Sequence, residues 1–248
     1  MNGSTAAVAR RKAALRHEVW ELLESRGISP DPYGKIPLFP GQNKAAERLR
    51  RLEAYRRAAT VLATPDRALL QVRLNCLADG KRLIMATPGL RDGFYLLEGQ
   101  VLRPRTWRRA ASSSGVRRFG KKLATTRRAI GRLDMLVTGA VAVSLQGVRL
   151  GKGSGYFDLE FAILLSIGSL GEESRIAALV DDLQICSHIP TAAHDVPVDV
   201  VVTPSRLIAI SPRPLRPAGL EWEKLDSRRA EHLRLLQKLR QGKNTSNR

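Results

Sequence analysis

DMLVTGAVAVSLQGVRLGKGSGYFDLEFAILLSIG, residues 134–168, decides the fold class. Its first ten residues, 134–143, form an apolar, valine-rich run of strand type, closed by a turn at Gln146-Gly147. Three alternating glycines follow, Gly151, Gly153 and Gly155, and residues 155–168 then read as a helix. Strand, turn, glycine-rich loop and helix in succession are one unit of an α/β protein. The same alternation repeats outward. Residues 60–64 read as a short strand, Pro65-Asp66 opens a helix through Ala78, Asp79-Gly80 turns the chain, and 82–86 is the next strand. Residues 176–180, 198–202 and 207–210 supply three more. Upstream, residues 12–26 form an amphipathic helix with Leu15, Val19, Leu22 and Leu23 on one face, stopped by Gly27 and the prolines Pro30 and Pro32. Residues 42–57 read as a second helix with a basic solvent side. Strands interleaved with helices predict an α/β fold whose mainly parallel sheet is flanked by helices. Right-handed crossovers then gather the loops after the strands at one edge, where ligands bind.

Composition narrows the class further. The 248 residues suffice for one large domain, read as 1–225, with a basic insertion at 101–133 and a basic tail at 226–248 expected as a short helix with a frayed end. No apolar run is long enough to cross a bilayer, and the first residues offer no secretory signal, so no membrane contact is expected. Two cysteines, Cys76 and Cys186, and four scattered histidines predict neither a disulfide scaffold nor a zinc site, and the expected compartment is the cytoplasm. The outlying total is charge: 42 Lys and Arg against 23 acidic residues, a net of +19, which implies attraction to polyanions.

Two local signals bear on chemistry. In RLGKGSGYFD (Arg149, Leu150, Gly151, Lys152, Gly153, Ser154, Gly155, Tyr156, Phe157, Asp158), alternating glycines let backbone N–H groups approach an anion at a helix start. Arg149 and Lys152 add cations, and Asp158 is placed to hold Mg2+ against phosphate oxygens. The spacing is neither the Walker pattern nor G-x-G-x-x-G, and the loop read alone is equally a tight surface turn. Lys12 and Arg16, one helical turn apart, either grip adjacent phosphates or form a solvated face. No Ser–His–Asp or Cys–His arrangement is evident, and His194-Asp195 reads as a loop pair ahead of a strand.

The two signals occur together, and in that combination the chain resembles the 5-formyltetrahydrofolate cyclo-ligase family. K-x-x-L-R (Lys12, Leu15, Arg16) and R-L-G-x-G-x-G-Y-x-D (from Arg149) carry the likeness. IPLFPGQNKAA from Ile36, PDRALLQVR from Pro65, GLRDG from Gly89 and HDVPVDVVVTPSRLIA from His194 bring it closer to the methenyltetrahydrofolate synthetase domain-containing branch. The resemblance covers residues 12–222 and implies a cyclo-ligase-like fold. It also implies ATP- and Mg2+-dependent conversion of 5-formyltetrahydrofolate to 5,10-methenyltetrahydrofolate with release of ADP and phosphate. By position it places ATP on Lys12, Arg16 and Arg149 to Tyr156, Mg2+ on Asp158, and the folate on Tyr156 and Asp66, the latter standing in for a substrate-contacting glutamate. Asp158→Ala is then expected to abolish turnover while leaving the fold intact.

Residues 101–133 hold eleven Lys or Arg and no carboxylate. They read either as a solvated, mobile loop or as a polyphosphate-binding arm. In the second reading Arg103, Arg105, Arg108, Arg109, Arg117 and Arg118 contact RNA or a ribonucleoprotein, and Trp107 and Phe119 stack on bases. Two further functions therefore stand beside the cyclo-ligase: an ATP-binding relative acting on another pterin-like or thiamine-pathway metabolite, and a non-catalytic RNA-binding member.

Overall fold

The computed structural model describes residues 3–218; Trp222, the boundary at 225 and the basic tail lie outside the described residues. The chain opens with α1 (Gly3–Ser25), then α2 (Gln42–Arg51), α3 (Glu53–Arg57) and β1 (Thr60–Ala63). A single 3-10 turn leads into α4 (Leu70–Ala78), followed by β2 (Arg82–Ala86) and β3 (Phe94–Leu97). Residues 101–133 contribute α5 (Trp107–Ala110), α6 (Val116–Phe119), β4 (Lys121–Leu123) and α7 (Arg127–Ile130). Next come β5 (Met135–Gly139), β6 (Ala142–Ser144), β7 (Arg149–Leu150) and α8 (Tyr156–Ser166). The described chain closes with β8 (Arg175–Leu179), β9 (Ile185–Cys186), β10 (Val200–Val202) and β11 (Leu207–Ala209).

Eight strands form one sheet in the order β11-β10-β8-β5-β1-β2-β3-β4, and β7-β6-β9 form a second. The five central strands, β10 to β2, run parallel, as the alternation predicts, while both flanks are antiparallel. Side chains alternate across the pleat into two cores. Leu62, Ile84 and Leu136 meet Phe161 and Leu164 of α8 on one face. Val61, Met85 and Val137 meet Leu49 of α2 and Val72 of α4 on the other. A third, smaller cluster packs Val19 and Leu23 of α1 on Ala142 and Leu150 of the second sheet.

Three expectations are revised. The helix read at 42–57 is broken at Leu52, whose backbone is extended (φ −62°, ψ 132°). The strand read at 134–143 is two: β5 ends at Gly139, and β6 joins the other sheet, with Gln184 Nε2 donating to the carbonyls of Ala140 and Val141 at the bend. Residues 101–133 are folded, with Ala110, Ala111, Val116, Leu123 and Ile130 buried and β4 hydrogen-bonded to β3. Buried Arg73 ties this segment to the centre of the sheet. Its guanidinium donates to the carbonyls of Ala111 (2.7 Å), Asp66 (3.0 Å) and Thr64.

Candidate functional site

β1 is flanked by β2 on one side and β5 on the other, so the chain reverses its direction of sheet growth at β1. Such a switch point leaves a crevice outside the carboxyl ends of the strands. An open cleft of about 410 Å3 lies there. Its walls include Thr64 and Asp66 after β1, Thr87 and Gly89 after β2, Thr138 and Gly139 at the end of β5, and Ile36 and Leu38 from the loop ahead of α2. The remaining wall is the glycine-rich loop and the first turns of α8: Arg149, Gly151, Lys152, Ser154, Gly155, Tyr156, Asp158 and Glu160.

The loop's path depends on its glycines. Gly153 (φ +103°) and Gly155 (φ +66°) occupy the left-handed region, and Gly155 is the residue from which α8 starts. Side chains then brace the loop. Arg16 Nε of α1 donates to the Gly151 carbonyl at 2.7 Å. Arg149 leaves β7 with its guanidinium 4.5 Å from the Phe157 ring centroid and an NH2 group 2.7 Å from Asp158 Oδ1. The same oxygen accepts the Val196 backbone N–H at 3.0 Å. Lys152 Nζ reaches Asp66 Oδ1 at 2.9 Å, while Asp66 Oδ2 accepts from the Thr64 hydroxyl. Lys12 is ion-paired with Asp195, and both side chains are largely buried. Burial lowers the pKa of Arg16, which Asp195 opposes and Arg149 reinforces. Burial likewise pushes the Glu160 carboxyl up to about 8.

The structure therefore brings most of the sequence-selected residues to one place, with distinctions the sequence did not show. Arg16 reaches the loop from α1 and Lys12 reaches Asp195, neither of them lining the cleft; α1 is held there by the third apolar cluster. Leu150 is buried beneath the loop in that cluster. Tyr156 packs over Gly89, where an added Cβ would sit 3.3 Å from the tyrosine ring. Asp66 faces the cleft with both oxygens engaged. Arg103, Arg105, Arg108, Arg109, Arg117 and Arg118 are exposed and none lines the cleft. Trp107 donates its Nε1–H to the Leu102 carbonyl at 3.1 Å, and Phe119 lies under Arg109 and Arg118, so both aromatic rings have internal contacts.

Sequence reasoning missed Glu160 and the partnership of Asp195 with Lys12. A signal for the first was present: Glu160 is a carboxylate inside the otherwise apolar run L-E-F-A-I-L-L. The second joins residues 183 positions apart and leaves no local trace.

Among the described residues no group of three His, Cys, Asp or Glu side chains is arranged to hold a metal ion. Asp158 offers one hard oxygen ligand, its Oδ1 already engaged by Arg149 and the Val196 N–H. That donor set fits a Mg2+ ion whose coordination is completed by phosphate oxygens and water, as nucleotide-carried Mg2+ ordinarily is.

Comparison with known proteins gives the family and the fold. The model of the 5-formyltetrahydrofolate cyclo-ligase family matches residues 8–204. The chain belongs to that family. It is 33% identical over 245 residues to the methenyltetrahydrofolate synthase domain-containing protein of Homo sapiens, covering 94% of this chain and 62% of that one. The Bos taurus protein of the same description is 32% identical, with 92% and 62% covered. The chain thus spans about 62% of the length of these curated relatives. The solution structure of Aquifex aeolicus 5,10-methenyltetrahydrofolate synthetase shares the cyclo-ligase fold, with a TM-score of 0.52 at 21% identity over 83% of this chain and 96% of that one. Among the described residues no helix is long and apolar enough to cross a membrane.

Proposed function

We propose that the cleft binds ATP with Mg2+ and 5-formyltetrahydrofolate and closes the folate ring to 5,10-methenyltetrahydrofolate, releasing ADP and phosphate. The observation that carries this reading is the glycine-rich loop at the switch point, fixed from below by α1 through the Arg16–Gly151 hydrogen bond and opening onto the cleft at the carboxyl ends of the strands. In the reaction the formyl oxygen attacks the γ-phosphorus and ADP leaves. N10 then attacks the activated carbon, loses its proton, and the formyl oxygen departs with phosphate. Transfer of this kind rests on positioning and charge stabilisation rather than on a protein nucleophile.

The residues divide accordingly. Backbone N–H groups from Gly151 to Tyr156 and the positive end of α8 take the phosphates, with Lys152 beside them and Lys12 and Arg16 at the rim. Asp158 holds Mg2+, which when bound offsets the charge that builds on the transferring phosphoryl group. Arg149 keeps Asp158 oriented. Tyr156 supplies an aromatic wall for the pterin, and the loop carrying Ile36 and Leu38 excludes water. Purified protein given ATP, Mg2+ and 5-formyltetrahydrofolate is expected to develop methenyl absorbance. Absence of product, with ATP binding intact by calorimetry, refutes the assignment and favours another pterin-like substrate.

A further inference from the structure

One carboxyl in the cleft is not consumed by the pairings described above. Asp66 is held by Lys152 and Thr64, Asp158 by Arg149 and the Val196 N–H, and Asp31, which also lines the cleft, by Lys35. Glu160 differs. It lines the cleft, is only 3% exposed, and its Oε2 is buried without a hydrogen-bond partner among the described residues. An orphaned carboxyl oxygen in the interior destabilises a fold, and a persistent one calls for a ligand that completes it. A second orphan belongs to another residue that lines the cleft: Arg149 Nε, a buried donor without an acceptor among the described residues. One unmatched acceptor and one unmatched donor together specify a ligand edge that offers N–H groups beside a carbonyl.

The helix sets the shape of that ligand. Glu160 follows Tyr156 by four residues in α8, so the two lie one turn apart on one face. Tyr156 packs against Gly89, and Ile36 and Leu38 line the same cleft. An aromatic ring beside an apolar wall, with a carboxyl one turn further along, suits a flat heterocycle presenting its polar edge to Glu160.

We propose that Glu160 is a specificity-determining residue of the cleft. It accepts hydrogen bonds from the adjacent amino and ring N–H donors of a 2-amino-4-oxopyrimidine ring, whose 4-oxo group accepts from Arg149 Nε. The inference rests on the reading of the cleft as a two-ligand site and extends it to the recognition of the second ligand. A carboxylate matches two parallel N–H donors as a bidentate pair, whereas the amide of a glutamine meets one of them with its own N–H.

The test uses the full chain and measures calorimetric affinity for pterin (2-amino-4-oxopteridine), for its analogue without the 2-amino group, and for ATP with Mg2+. Wild type is expected to prefer pterin by at least about 10-fold. Glu160→Gln is expected to weaken pterin binding by about 10- to 100-fold and to abolish the preference, with ATP affinity unchanged. Glu160→Asp, which retracts the carboxyl by one methylene, is the second variant and is expected to lose the same preference. Wild type that does not discriminate the two pteridines, or variants that keep the wild-type preference, overturn the assignment. The turnover assay separates it from the proposed reaction. Methenyl product with an unchanged folate KM in Glu160→Gln keeps the reaction and removes Glu160. A Glu160-dependent pterin preference without product keeps Glu160 and removes the reaction.

Discussion

Asp158→Ala is expected to damage the fold as well as the chemistry, which revises the sequence-based expectation of an intact fold. The Arg149 side chain is 4% exposed and its NH2 group sits 2.7 Å from Asp158 Oδ1, while Asp158 itself is 18% exposed. Removing the carboxylate strands a buried guanidinium whose Nε is already unpartnered. Loss of one member of a buried pair costs about 3–5 kcal/mol. The Val196 N–H, 3.0 Å from the same oxygen, loses its acceptor too, at about 1 kcal/mol. Against a total stability of about 5–15 kcal/mol this is a large fraction. Urea unfolding followed by circular dichroism should show the midpoint falling by about 1–2 M. Arg149→Met combined with Asp158→Ala removes both charges, and the double variant should recover at least about half of the loss. An Asp158→Ala midpoint within experimental error of wild type, or a double variant less stable than the single, refutes the reasoning.

Other predictions concern the surroundings of the cleft. Because burial raises the Glu160 carboxyl to about 8 from 4.5 in the unliganded protein, the folded chain without ligand keeps a proton that the unfolded chain releases; stability of the ligand-free protein should fall as pH rises from about 4.5 to 8 and level off above. The slope is at most about 1.4 kcal/mol per pH unit, and Glu160→Gln should flatten it in urea titrations run from pH 5 to 9. Gly139→Ala places a Cβ 2.4 Å from Ile36 Cγ2, so the Ile36 side chain must give way; a loss of about 1–3 kcal/mol and weaker ligand binding are expected by thermal shift and calorimetry. Arg73→Met leaves the carbonyls of Thr64 and Ala111 without their donor and should destabilise by about 3 kcal/mol in the same unfolding assay. The fully buried Cys76 thiol, pushed up to about 12 by burial, should resist alkylation at pH 8 until the protein unfolds, as read by mass spectrometry.

Much of the architecture was legible because its signals are local. β2 was read with its observed bounds, and the apolar runs behind β1, β8 and β10 announced strands buried on both faces. The break at Leu52 was invisible, since neither glycine nor proline marks it. The passage from β5 to β6 was hidden for a different reason: both strands are wholly buried, so nothing in their hydropathy records a change of sheet. β3, antiparallel to β2, is a four-residue apolar run bounded by Gly93 and Glu98 that periodicity alone did not resolve. In the cleft the glycine-rich loop was readable as a contiguous motif. Its carboxylate partners were not, because Lys152–Asp66 and Lys12–Asp195 join residues 86 and 183 positions apart.

The pairing of Lys12, Arg149 and Lys152 with Asp195, Asp158 and Asp66 has a consequence for how polyanions meet this molecule. With resident anions in place, a phosphate bound by Lys12 or Lys152 as proposed above would exchange with Asp195 or Asp66, and few counterions would be expelled from solution. Affinity there should decline gently with salt. Arg103, Arg105, Arg108 and Arg118, exposed and without an ion pair among the described residues, behave oppositely: their pull is long-range, indiscriminate and screened within about 10 Å at 0.1 M salt. The net charge of +19 thus covers two kinds of cation, those paired internally with Asp195, Asp158 and Asp66 and those exposed without an ion pair among the described residues.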